Sequence, residues 1–190
     1  MKKFWIAIGC WSILGGLVLA GAKQFEGKRF LFQLDGSVFF AADRRFNDVY
    51  SARGIHPGIK FSCAVTPSIV VSLGYDYLFH RGETVVTGAD TESTQHTLRL
   101  AGGIGYSLTP IISCRLEGGI FHGWYREEVL EELLSGSGLG FLLEGSLVVR
   151  LPRGLRGLVI LGYRYGKDHY QGQEIVLGGF RAGVGAGIVF

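Results

Sequence analysis

From Ile69 to Phe79 the chain reads IVVSLGYDYLF. Ile69, Val71, Leu73, Tyr75, Tyr77 and Phe79 share one parity, while Ser72, Gly74 and Asp76 share the other. Sustained alternation of this kind predicts a strand with one apolar face and one polar or small face. The same pattern returns in residues 30–40 (Phe30, Phe32, Leu34, Val38, Phe40), 58–65 (Ile59, Phe61, Cys63, Val65), 97–108 (Leu98, Leu100, Ile104, Tyr106, Leu108) and 111–124 (Ile112, Cys114, Leu116, Ile120, Trp124). It continues in 139–151 (Leu139, Phe141, Leu143, Leu147, Val149, Leu151), 156–165 (Val159, Leu161, Tyr163, Tyr165) and 176–190. The expectation is eight strands, an even number.

The connections alternate in length. Thr66-Pro67-Ser68, Thr109-Pro110 and Pro152-Arg153-Gly154 are short and bear proline, whereas residues 41–55, 81–95, 126–138 and 166–174 are longer and polar. Proline at a turn costs the sheet no ladder hydrogen bond. The repeating unit is therefore an up-strand, a long loop, a down-strand and a tight turn, which is a meander of hairpins.

Alternation alone does not say which face is inside, but the charges do. Measured from the tight turns, each strand places a charge near mid-height on its non-apolar face: Asp35, Lys60, Asp76, Arg99, Glu117, Glu144, Arg164 and Arg181, with Arg115 below. A water-facing surface gives no reason for such a level ring. Inside a closed eight-strand barrel the same residues become a packed network of opposite charges, with Gly103, Gly105, Gly183, Gly185 and Gly187 leaving room for long arginines. The apolar face then needs an apolar solvent, and strands of about 9 to 11 residues tilted near 45° span a bilayer core. Aromatics gather toward the loop ends (Phe40, Tyr75, Tyr77, Phe79, Trp124, Tyr163, Tyr165) and, with Tyr106 and Phe190, toward the turn ends, as interfacial girdles do. In hydrocarbon every backbone polar group must be paired, so the sheet must close on itself. Closure brings the first strand to the last and Asp35 near Arg181. The fold expected is an all-β, eight-stranded antiparallel up-and-down transmembrane β-barrel. A soluble ligand-binding barrel is its rival.

Composition sharpens this picture. Thirty-one glycines, 13 phenylalanines and 8 tyrosines in 190 residues, with only 18% charged residues, are unusual for a soluble domain. Lys2 and Lys3, an apolar run from Phe4 to Leu19, and Ala20-Gly21-Ala22 form the three parts of a secretory signal peptide. The expected division is a signal peptide over residues 1–22, with an uncleaved membrane anchor as the alternative because the apolar run is slightly long, and a barrel over 23–190. Later segments are all interrupted by charges or glycines, so none reads as a membrane-spanning helix. Loss of Lys2 and Lys3 lowers the formal charge from +3 to +1, so the basic pI says little about nucleic acid, and no nucleic-acid partner is expected. Cys10 leaves with the signal; Cys63 and Cys114 fall on strands two and five, both facing lipid, and are expected as free thiols.

With the signal ending Ala20-Gly21-Ala22, the eight alternating strands, the tight turns on one side and the terminal strand FRAGVGAGIVF, the chain resembles the small eight-stranded outer-membrane β-barrels of diderm bacteria, the OmpA/OmpX-like and OmpW-like group. The resemblance covers the whole mature length. It implies an integral protein of the bacterial outer membrane, in contact with outer-membrane lipid and, where present, lipopolysaccharide-type glycolipid. It also implies that Phe190, at the end of the last strand, is part of the insertion signal read by the barrel-assembly machinery. The function expected is non-enzymatic, with surface loops for adhesion, interaction with a host or envelope partner, or envelope stability. The alternative is a porin-like narrow pore or a conduit for small hydrophobic molecules, and a third reading is a lipid A-modifying enzyme.

Gly183-x-Gly185-x-Gly187 and Gly136-x-Gly138-x-Gly140 lack the following helix that a phosphate loop needs and are read as lumen packing. The charged ring is either an ion-selective constriction, anion-favouring because Arg150 and Arg156 add positive charge near the turns, or a plug. An eight-strand lumen is narrow enough for side chains to fill it. His96 and His122 lie opposite each other, directly or diagonally, on the lipid face near the loop end, as interfacial residues or as a pair able to bind metal or act on lipid A. The lipid A 3-O-deacylases carry a His-x-Ser motif; His56, His80, His96, His122 and His169 all lack serine two residues later. No cofactor or metal site is expected. Loop three, with Val129, Leu130, Leu133 and Leu134 beside Glu127, Glu128, Glu131 and Glu132, has the spacing of a short amphipathic helix. Loop one offers Arg44, Arg45, Phe46, Tyr50 and Arg53 for anionic surface groups.

Overall fold

A computed structural model describes residues 28–42, 49–50, 54–83, 90–129, 132–170 and 173–190. The expected signal peptide lies outside the described residues, as do Arg44, Arg45, Phe46 and Arg53 of loop one. The strands are β1 (Phe30–Ala41), β2 (Gly54–Ala64), β3 (Ile69–Glu83), β4 (Asp90–Ser107), β5 (Ile112–Val129), β6 (Glu132–Arg150), β7 (Leu155–Tyr170), β8 (Gln173–Val176) and β9 (Gly179–Val189). Each pairs antiparallel with its neighbours, and β1 pairs with β9 from Leu31↔Val189 to Ala41↔Gly179. The sheet is thereby closed into an eight-stave transmembrane β-barrel, with β8 and β9 forming the eighth stave.

The eighth strand is expected to be continuous from 176, but it is broken at Leu177-Gly178. Leu177 turns inward onto Phe121 and Tyr125, and its N–H donates to Gly166 O at 2.9 Å. Burying a leucine under the mouth thus interrupts the ladder there. Strand two begins at Gly54, four residues before the expected start. Pro57 sits inside it, paired with Gly36 on β1, and the β2–β3 ladder skips His56 and Pro57, because proline has no N–H to give.

Loop three is the clearest correction. The expected helix is absent: β5 runs to Val129 and β6 starts at Glu132, with Val129↔Glu132 paired. Leu130 and Glu131 lie outside the described residues. Helical spacing of four leucine and valine side chains is outweighed here by a two-strand ladder that continues without a break to Val129↔Glu132. As a result β4, β5 and β6 reach 18, 18 and 19 residues, against 12 and 11 for β1 and β2, and the wall is taller on that side.

The two threonine turns are built alike. Thr66 Oγ1 accepts from the N–H groups of Ser68 (3.3 Å) and Ile69 (3.0 Å), and Thr109 Oγ1 from those of Ile111 (3.2 Å) and Ile112 (2.9 Å). These bonds close the turns that proline opens. The third turn, Pro152–Gly154, is a single 3-10 turn in which Arg153 (φ 62°) and Gly154 (φ 81°) are both left-handed.

The apolar parity faces out. Leu34, Leu73, Leu100, Leu116 and Leu161 are exposed around the middle of the wall, which is the lipid-facing band of a membrane barrel. The lumen is layered. Leu31, Val70 and Val189 form one apolar cluster toward the turns, and Val148, Leu158 and Ile160 a second. Phe121, Tyr125 and Leu177 form a third toward the loops. The charged residues lie between these layers.

Candidate functional site

β5 and β6 pair with Glu117 directly opposite Glu144. Two carboxylates at one rung repel each other, and the structure answers from across the lumen. Lys60, on β2, extends its Nζ to 2.7 Å from Glu117 Oε2 and 2.5 Å from Glu144 Oε1. On the other side, Gly58 separates Asp35 on β1 from Asp76 on β3 at one level. A side chain at Gly58 would collide with both carboxylates, so glycine is what lets them stand together.

Two arginines join the carboxylate pairs. Arg99 lies 2.7 Å from Glu144, 3.1 Å from Asp76 and 3.7 Å from Asp35. Arg181 contacts Glu144 through Nη2, and through Nη1 lies 3.4 Å from Asp76 and 3.7 Å from Asp35. Arg115 is a rung lower, with Nε 3.0 Å from Glu117 and Nη2 donating to Gln33 at 3.1 Å. All of these side chains are buried.

Arg164 differs from the other charges of the ring. Its guanidinium donates to Thr97 Oγ1 (3.1 Å) and Gln95 Oε1 (2.9 Å), meets His56 Nε2 at 3.2 Å, and lies 4.3 Å over the Phe39 ring and 5.8 Å from that of Phe121. It is thus held mainly by neutral dipoles and aromatic faces, a cation–π arrangement. Parity identifies His56, Gln33, Ser37 and Phe121 as inward-facing. The sequence reading missed His56 because it began strand two after it, and missed Phe121 because apolar residues were assigned to the outer face.

The belt leaves little space. Voids of about 20 Å³ and about 10 Å³ lie within it, each with room for about a single water. Nearer the loops, a void of about 50 Å³ is lined by Phe39, His80, Gln95, Tyr125, Glu127 and Leu177. Above this space Tyr50 folds in from loop one. It bridges to Gly82 of β3, its hydroxyl donates to Glu127 Oε1 at 2.5 Å and lies 2.9 Å from Thr91 Oγ1, and its ring meets His80 edge-on. Burial first, and the bond to the Glu127 carboxylate second, push the Tyr50 phenol well above its ordinary value.

His96 and His122 are diagonal rather than directly opposite: His96 pairs with Trp124, and Leu98 with His122. His96 Nδ1 is 2.5 Å from the Tyr75 hydroxyl, and His122 packs edge-on against Trp124 at 4.4 Å. Both rings are engaged with the aromatic girdle. Among the described residues no group of three His, Cys, Asp or Glu side chains converges on a metal position. Cys63 and Cys114 are free, on β2 and β5. Phe190 faces outward beside Phe30, and the two residues exchange backbone hydrogen bonds of 3.0 and 3.1 Å.

A closed antiparallel barrel with an apolar exterior and an ionic interior is the architecture of small outer-membrane β-barrels, and solved structures agree. Neisserial surface protein A superposes with a TM-score of 0.64 at 12% identity, over 85% of this chain and 97% of that one. OprG of Pseudomonas aeruginosa gives 0.63 at 11%, over 90% and 98%. The N-terminal barrel of OprF from Pseudomonas aeruginosa gives 0.60 at 14%, over 86% and 98%. No protein-family model matches the chain. No curated protein sequence matches it either. The likeness is one of fold.

Proposed function

We propose that the protein is a sealed, non-enzymatic integral barrel of the bacterial outer membrane, exported with residues 1–22 removed. Its tight turns face the periplasm, and its long hairpins form a surface for interaction or for anchoring the envelope. The observation that carries this reading is the belt of Lys60, Arg99, Arg181, Asp35, Asp76, Glu117 and Glu144, which fills the lumen cross-section between apolar layers. A constriction used for ions needs a hydrated path, and voids of single-water size offer none. The engagement of His96 with Tyr75 and of His122 with Trp124 favours anchoring at the outer-leaflet boundary over action on lipid A. Phe190, at the turn end of the closing strand, is the residue we assign to recognition by the barrel-assembly machinery. The partners are membrane lipid, including lipopolysaccharide-type glycolipid, and a host or envelope protein at the loops.

The test is single-channel conductance of refolded protein in a planar bilayer, beside Arg181→Ala. Silence from the wild type is expected. Steady openings whose ion selectivity changes with Arg181→Ala would overturn the sealed-barrel reading and make the lumen a pore.

A further inference from the structure

Ionisable side chains are divided unequally between the two ends of the barrel. At the turn end, the described residues include Lys28, Arg29, Arg150, Arg153 and Arg156. The loop end leans the other way, with Glu127 and Glu128 against Arg126 in the third hairpin.

Three of the turn-end cations converge on one part of the rim. β9 ends between the starts of β1 and β7, through Leu31↔Val189 and Leu155↔Ile188. Lys28 Nζ donates to Val189 O at 2.9 Å. A Cβ placed on Gly154 would stand 3.2 Å from that same Nζ, so Lys28 lies against the turn that carries Arg153. Arg153 is exposed, and Arg29 follows Lys28 with its backbone oxygen tied to Ala64 N–H at 2.8 Å. Directly above, on the outward face, the rings of Phe30, Phe61 and Phe190 group with centroids 5.6 to 6.4 Å apart.

Exposed cations below an outward aromatic cluster match an amphiphile whose head is anionic and whose body is hydrocarbon. We propose that Lys28, Arg29 and Arg153 form a headgroup site for an anionic phospholipid of the periplasm-facing leaflet, with its acyl chains against Phe30, Phe61 and Phe190. A zwitterionic phospholipid carries its own ammonium group and gains less from three positive side chains. The outer leaflet is served by the opposite, acidic end of the barrel. This site rests on the reading of the chain as a membrane-integral barrel with its turns in the periplasm.

The test is electron spin resonance of the refolded barrel in phosphatidylcholine bilayers containing spin-labelled phosphatidylglycerol or phosphatidylcholine. The motionally restricted fraction gives the relative association constant. Each surface cation attracts anionic lipid by roughly fivefold; averaged over the whole lipid shell, most of which does not touch the site, an overall preference for phosphatidylglycerol of about fivefold is expected, and it should shrink in about 1 M salt. Lys28→Gln with Arg29→Gln and Arg153→Asn should bring the ratio close to one; asparagine tolerates the left-handed backbone of the turn. Arg81→Gln with Arg126→Gln, at the loop end, should leave it unchanged. If the triple variant does not fold, Arg153→Asn alone should still lower the ratio about twofold. No preference in the wild type, a preference that survives the turn-end changes, or one lost with the loop-end changes would overturn the site. Failure to form a heat-modifiable, lipid-inserted band on gels would instead count against the membrane reading.

Discussion

The two faces of the same strands follow one alternation and obey different rules. Outside, Leu34, Leu73, Leu100 and Leu161 touch a solvent that adapts to them, so hydrophobic identity is enough. Inside, Glu144 must reach Lys60, Arg99 and Arg181 at once, and Gly58 and Gly74 must stay bare for the charges beside them. Side chains facing lipid are interchangeable within a class. Side chains facing the lumen are fitted to particular partners several strands away.

The sharpest break of that contrast is Glu144→Gln. It leaves three buried cations short of a counter-charge, and removing one partner of a buried ionic network costs about 3–5 kcal/mol. Urea unfolding of the lipid-embedded barrel should show the loss. On the outer face, conservative changes at Leu100 should be nearly silent, while Leu100→Arg should cost about 2–4 kcal/mol, read in the same unfolding experiment. A barrel indifferent to Leu100→Arg would mean that this face does not meet hydrocarbon.

Glycines give a matched pair. A Cβ at Gly74 would meet the Arg99 side chain, whereas one at Gly36, on the outer face, meets nothing within 4 Å. Gly74→Ala should therefore destabilise by about 1–3 kcal/mol, and Gly36→Ala should be neutral or slightly stabilising because it lowers the entropy of the unfolded chain. Equal effects at the two sites would erase the distinction between the faces.

The smallest effect is expected at the mouth, from Tyr50→Phe. Loss of the hydroxyl removes its bond to Glu127, about 1.5 kcal/mol for a charged acceptor. The pH dependence has a definite sign. A phenol whose folded value is raised contributes stability that is fully present below its ordinary value of about 10 and is lost as pH rises through the folded value. In an ultraviolet titration a tyrosine that ionises late should vanish in Tyr50→Phe.

Much of the wall was legible because its period is two and its solvent is uniform. Every outward residue of β3, from Ile69 to Phe79, follows the same parity. The limits appear where a residue answers to a distant partner. Leu133 and Leu134 have helical spacing, yet the β5–β6 ladder continues through the rung of each. Leu177 breaks the eighth stave because Phe121 and Tyr125 receive it. His56 was missed because strand two was expected to begin at 58, after Pro57, although β1 accepts proline at that rung.

By itself the sequence determined the alternation, the positions of the turns, and the level at which each strand carries its charge, because all three are local properties of a strand. Only the tertiary structure decided that Lys60 would bridge Glu117 and Glu144, that Arg164 would rest on Phe39 and Phe121, and that Tyr50 would reach Glu127. These contacts join residues on strands and loops far apart in the chain. Their geometry is set by closure of the barrel and by the register of every ladder around it, which no single strand encodes.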